Sequence, residues 1–167
     1  MHDFDALNLY NIKFYLSAAL LIFIDLFSKG YVEDFFRQGE IINIFPFLSI
    51  TLAFNSGIAF SLFDFNNFFT DYVLLFIGLI ITILLVRLFY QEHYVLSKAG
   101  LILIISGALG NIIDRAMDGV VTDFLLFFIG NTPFFIFNLA DAYISCGAVL
   151  YFGIELSKYI SNQPHHD

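Results

Sequence analysis

One apolar stretch carries a concentration of carboxylates and amides, with an arginine among them. Gly107 to Asp141, GALGNIIDRAMDGVVTDFLLFFIGNTPFFIFNLAD, carries Asn111, Asp114, Arg115, Asp123, Asn138 and Asp141. An unpaired charge in such surroundings costs several kcal/mol, so residues of this kind serve chemistry, transport or a deep ion pair. Asn111 with Asp114, and Asn138 with Asp141, are each three apart, a spacing that shares one helix face. A lone asparagine in an apolar helix is usually interhelical glue, whereas two such pairs converging at one depth argue for a site. Two aspartates brought close where water is scarce share a proton, one acting as base and one as acid. Such a pair can activate water against an amide without a covalent intermediate. Asp123 and Asp141 are candidates, one in a loop and one on the following helix. Asp114 is next to Arg115, which could instead neutralise it.

Other chemistries fit less well. His93 lies in a short link and His165 and His166 in a polar tail, with no second ligand set at metal spacing, so no metal is expected. Cys146 lies inside an apolar run and reads as a buried, inert thiol. As the single cysteine it excludes an intramolecular disulfide. Neither Ser56 nor Ser106 has a base placed to activate it.

The elements that must position these residues are apolar helices. The chain has 167 residues, of which 59% are hydrophobic and 13% charged, and its mean hydropathy of +0.83 places it among integral membrane proteins. Its seven Lys and Arg are scattered singly, unlike a nucleic-acid-binding stripe. The apolar runs predict four membrane spans, at about 12–31, 72–90, 97–113 and 134–156. The first run is too long for a cleavable signal peptide and lacks a small-residue cleavage site. The segment at about 32–71 is β-branched, aromatic and broken by Pro46 and Gly57, and predicts short strands or an extended loop on the membrane surface. The segment at about 116–133 is a second surface link. The whole chain, 1–167, is expected to form one integral membrane domain.

Four spans put both termini on one side. Asp25, Asn55, Asn111 to Arg115, Asp123, Asn138 and Asp141 then all fall near one membrane face, while Lys13, Arg87, Lys98 and Lys158 fall at the other. The positive-inside rule makes the basic face, with both termini, cytoplasmic and turns the polar cluster outward. Asp25 and Lys29, four apart with the acid leading, have the favourable order for a helical ion pair.

Five ordered blocks carry a family resemblance: Asp25-Leu-Phe-Ser-Lys29, Asn55-Ser-Gly-Ile-Ala-Phe60, Gly110-Asn-Ile-Ile-Asp-Arg115, Val120-Val-Thr-Asp-Phe124 and Phe137-Asn-Leu-Ala-Asp141. The chain resembles the lipoprotein signal peptidases (signal peptidase II), aspartyl proteases of the bacterial inner membrane. One departure is Leu26, where glutamine is common. The resemblance implies an all-α membrane protein of four transmembrane helices, with a small extracytoplasmic β-cradle and a short surface helix or loop. It implies that Asp123 and Asp141 are the catalytic pair. Asp25, Lys29, Asn55, Gly107, Asn111, Asp114, Arg115, Asn138 and Ala140 would shape the site and support substrate, with Lys29 holding Asp25 and nearby backbone. The implied reaction is cleavage just before the lipidated cysteine of a diacylglyceryl-modified prolipoprotein, at the outer face of the inner membrane. It needs no cofactor, metal or nucleic acid, and membrane lipid and precursor are the expected partners of a monomer.

The rival class is a proton-coupled transporter or ion-pathway subunit, for which intramembrane acids are equally natural. It would want acids at the midplane and a route to the cytoplasmic side. Here spans one, three and four carry their acids near one end and span two carries none. A purely structural scaffold fits the depth-matched clustering poorly.

Overall fold

The computed structural model describes residues 2–57 and 67–161. The order of elements is α1 (His2–Phe35), β1 (Ile41–Phe45), β2 (Leu48–Asn55), α2 (Asn67–Gln91), α3 (Val95–Asp118), β3 (Val121–Ile129), β4 (Thr132–Phe137) and α4 (Leu139–Ser161). Among the described residues four helices are long and apolar enough to cross a membrane: Asn11–Phe35 within α1, Tyr72–Gln91 within α2, α3 and α4. The chain is a multi-pass membrane protein of four helices with a small antiparallel sheet.

Three of the four helices outlast the apolar runs that predict them, and the fourth is shifted along the chain. The first extends to Phe35, beyond the expected end near residue 31. The third runs from Val95 to Asp118 and not 97–113, because Asn111, Asp114 and Arg115 find partners inside the protein and the helix need not stop at them. It ends at Gly119, whose φ of 77° takes the left-handed cap and returns its N–H to Arg115 O at 2.9 Å. The fourth begins at Leu139, not near 134, and continues to Ser161. Phe134–Phe137 belong to β4, an apolar run whose strand character its hydrophobicity alone does not reveal.

α3 is the central helix. It packs against α1, α2 and α4, and half of its most apolar window is buried against 17% or less in the other three. Glycine permits its closest approach to α4: a side chain at Gly107 would run into the carbonyl oxygen of Ala140. Away from the sheet, Phe14, Phe89, Leu101, Ile102 and Ile105 form the core joining α1, α2 and α3.

The two surface links join into one antiparallel sheet of order β1-β2-β3-β4. Each contributes a hairpin, the second turning at Gly130 and Asn131 with Gly130 at φ 62°. The hairpins meet through β2 and β3, with Ala53 opposite Asp123, Phe54 opposite Thr122 and Asn55 opposite Val121. Val32, Leu52 and Phe124 seat the sheet on the end of α1. The expected strands therefore form, and the link after α3 is also β-structure. No further helix occurs on the surface among the described residues; Phe60, His165 and His166 lie outside them. Cys146 is exposed on α4 and not buried, because among the described residues no helix packs on that face.

Candidate active site

α1, α3, the sheet and the start of α4 converge on one polar cluster. Lys29 is its electrostatic centre, 1% exposed, with Nζ 2.8 Å from Asp25 Oδ2 and 3.3 Å from Asp114 Oδ2. It also donates to Asn111 Oδ1 at 2.8 Å. One buried cation thus meets two buried carboxylates and an amide oxygen, the kind of pairing that makes a low-dielectric charge tolerable. Lys29 holds side chains of α1 and α3. The contact to backbone comes from Asp25, whose Oδ1 accepts the N–H of Ala140 at 2.8 Å. Asp25 thereby pins the first turn of α4 to α1. Gly110 leaves the necessary space, since a Cβ there would lie 2.5 Å from Asp25 Oδ2.

Asp114 does not pair with Arg115. Its Oδ2 accepts the N–H of Thr122 at 2.8 Å, tying the end of α3 to the start of β3. Arg115 turns away and donates through Nη2 to the Asn55 carbonyl at 3.0 Å, tying α3 to the end of β2. The two neighbours on α3 thus fix the two central strands separately.

Those strands deliver Asp123. It is 5% exposed, with Oδ2 accepting from Asn55 Nδ2 at 3.0 Å and Oδ1 from Asn138 Nδ2 at 2.7 Å. Asp141, half-buried in the first turn of α4, accepts from Asn111 Nδ2 at 2.9 Å and from the Asn138 N–H at 3.2 Å. Asp141 N–H in turn donates to Asn138 Oδ1 at 3.0 Å. Asn138 and Asp141 therefore do not share a helix face as their spacing suggests. Asn138 is the residue before the helix, and the two exchange backbone N–H groups in a capping box. The same Asn138 side chain reaches Asp123, so one residue ties the two carboxylates together.

Burial raises Asp123 to about 6, and the charge of Asp141 adds to the rise; the amides of Asn55 and Asn138 and the charge of Lys29 pull the other way without prevailing. A carboxyl raised toward neutrality beside a second carboxylate is an arrangement suited to acid–base hydrolysis.

All eleven expected site residues are brought to this cluster or its wall. Asn55, Asn111, Asp114, Arg115, Asn138 and Asp141 make the contacts above, and Gly107 and Ala140 form the close α3–α4 contact beneath them. Two contributors lie outside the expected site set. Glu33 accepts a short hydrogen bond from Thr122 Oγ1, and Gly110 clears space for Asp25. The signal for Glu33 was available: with Asp25 and Lys29 it continues a spacing of four along one face of α1. Oxygens of Glu33, Asp114 and Asp118 lie within 4.8 Å of one another, but Asp114 is already committed to Lys29 and the Thr122 N–H.

Residues 17–156 match the family model described as signal peptidase (SPase) II. The chain belongs to the signal peptidase II family. Lipoprotein signal peptidase of Bartonella quintana (strain Toulouse) is 39% identical over 155 residues, 91% of each protein. That of Neisseria meningitidis serogroup C (strain 053442) is 38% identical over 140 residues, 83% of this chain and 85% of the relative. Two solved structures of a bacterial membrane enzyme, obtained by the in meso method, superpose with a TM-score of 0.78 each. The one at 1.9 Å resolution is 29% identical and covers 86% of this chain and 92% of its own; the one at 2.3 Å is 30% identical and covers 93% of both. As a signal peptidase II, the protein is an aspartic endopeptidase that processes the signal peptides of lipoproteins.

Proposed function

We propose that Asp123 and Asp141 are the catalytic pair, and that they cleave a diacylglyceryl-modified prolipoprotein just before its lipidated cysteine. The observation that carries this reading is the double use of Asn138, which bonds both carboxylates at 2.7 and 3.2 Å and holds them in one unit from two different elements. Asp25, Lys29, Asn55, Gly107, Asn111, Asp114, Arg115 and Ala140 keep that unit in place. Asp141 takes the role of base. It sits in the first turn of α4 and accepts the Asn138 N–H. Asp123, raised by burial, takes the role of acid.

Asp141 removes a proton from the attacking water as its oxygen bonds to the scissile carbonyl carbon. Asp123 protonates the carbonyl oxygen, giving a neutral tetrahedral diol. Collapse returns a diol proton to Asp123 while Asp141 protonates the departing nitrogen, and the C–N bond breaks. The pair ends with the protons it began with, and no metal or cofactor takes part. The cluster lies at the end of the bundle opposite Lys13, Arg87, Lys98 and Lys158, which by the positive-inside rule is the outer face of the bacterial inner membrane, with both termini cytoplasmic. The protein acts there as a monomeric, single-domain peptidase among membrane lipids.

Purified Asp123→Asn and Asp141→Asn proteins in micelles, given lipidated precursor, test the reading. Both should remain folded and fail to cleave. Normal turnover by either would remove the mechanism.

A further inference from the structure

A cavity of about 250 Å³ lies between α2 and α3 beside the cluster. On the α2 side its wall runs from Leu74 through Gly78 to Leu85, a span of roughly 16 Å of helix at about 1.5 Å per residue. Its lining is apolar except at one end, where Asn111 and Arg115 close it. An elongated slot with a single polar end matches a hydrocarbon chain carrying one polar head. Its volume is below the roughly 300–1,000 Å³ of drug-sized sites, so it takes one chain and not a helix.

The polar end is connected to the proposed chemistry. Asn111, which closes the slot, donates to Asp141 at 2.9 Å, so an occupant's head lies one residue away from the proposed base. Arg115 places Nη2 on the Asn55 carbonyl, while its Nε is buried without a hydrogen-bond partner among the described residues. An unsatisfied buried N–H is unfavourable and calls for an acceptor. The ester carbonyl of an acylated glycerol supplies a neutral acceptor at the head of an apolar chain.

We propose that this slot receives one acyl chain of the substrate's diacylglyceryl group, with Arg115 Nε donating to the ester carbonyl and Gly78 and Ala108 setting the width. The inference rests on the proposed function, because the occupant is that reaction's substrate. At Gly78 the space is already close: an added Cβ would lie 3.2 Å from Ile112 Cγ1. Small residues here keep the slot open.

The full chain in micelles, with a synthetic diacyl precursor bearing a diazirine on one acyl chain, supplies the test. On irradiation, label should fall on the fragments holding Gly78–Ile81 and Ala108–Ile112. Label confined to the outward faces of α1 or α4, or label from a diazirine phospholipid at the same fragments that added precursor does not displace, would overturn the assignment. Ala108→Leu should raise KM about tenfold for a long-chain precursor, the effect of displacing about two buried methylenes, with kcat unchanged and a short-chain precursor unaffected. Equal KM values for wild type and variant, or an equal rise for both precursors, would also overturn it. The labelling uses wild-type protein and stands if Ala108→Leu does not fold. Failure of the wild type to cleave any precursor would defeat the proposed function; cleavage with label elsewhere would defeat only the slot.

Discussion

The side-chain amide of Asn138 lies 2.7 Å from Asp123 Oδ1, although the two residues belong to different elements and Asn138 is already the cap of α4. A residue that both starts a helix and links two carboxylates cannot be replaced without moving either. Asn138→Ala should lower kcat/KM for lipidated precursor by about 100-fold through misplacement of the pair. It should also lower stability by about 1 kcal/mol through loss of the cap. Cleavage assays and thermal unfolding in micelles measure the two effects, and a variant with near-normal kcat/KM would contradict this role.

Lys29 compensates Asp25 and Asp114 together. Lys29→Met should destabilise the protein by about 3–5 kcal/mol, because it leaves buried carboxylates without their cation. Adding Asp25→Asn should recover part of the loss. Thermal midpoints of the single and double variants decide the matter; equal midpoints would show that Lys29 and Asp25 are not coupled.

Asp123 gives a pH signature. Its carboxyl rises from 3.8 in the unfolded chain to about 6 in the folded protein, so folding favours the protonated form. The resulting stability is fully present below pH about 4 and is lost as pH rises through about 6, a change of up to about 3 kcal/mol. The thermal midpoint of the wild type should therefore fall relative to that of Asp123→Asn between these pH values, and the difference should be constant above them. A parallel pair of curves across the range would show that Asp123 does not hold its proton.

Gly110 tests the space left for Asp25. Gly110→Ala places a methyl group 2.5 Å from Asp25 Oδ2 and should cost about 1–3 kcal/mol, with loss of cleavage as the tie from Asp25 to the Ala140 N–H shifts. Unfolding and activity measured on the same preparation would show both, and an unchanged midpoint would mean that the site relaxes freely.

The far end of the bundle provides a contrast. Glu92 accepts the N–H groups of His93 and Tyr94 at 2.7 and 2.8 Å and pairs with Lys158 at 3.4 Å, joining the α2–α3 link to α4. Burial opposes its charge, but these backbone bonds and Lys158 together hold its carboxyl below the ordinary value. Its contribution is present at neutral pH and is lost as pH falls through the acidic range. Glu92→Gln should reduce stability by about 1 kcal/mol at pH 7, less at low pH, and leave kcat/KM unchanged. A large loss of activity would show that this end communicates with the site.

The sequence by itself determined the four apolar spans, a surface segment of strands or extended loop between the first two, and which polar residues stand in the candidate site. Span length and charge are properties of consecutive residues, and the five blocks can be read without knowing what they touch. Tertiary structure decided the partnerships. Asp114 meets Lys29 and not its neighbour Arg115, because helix geometry turns adjacent side chains in different directions. Asn55 reaches Asp123 across 68 residues because β2 and β3 pair in one particular register. The β4 strand was hidden in an apolar run that suits a helix equally well, and the exposure of Cys146 depended on which face of α4 lacks a neighbour. Local hydrophobicity states that a residue leaves water; only packing states whom it meets there.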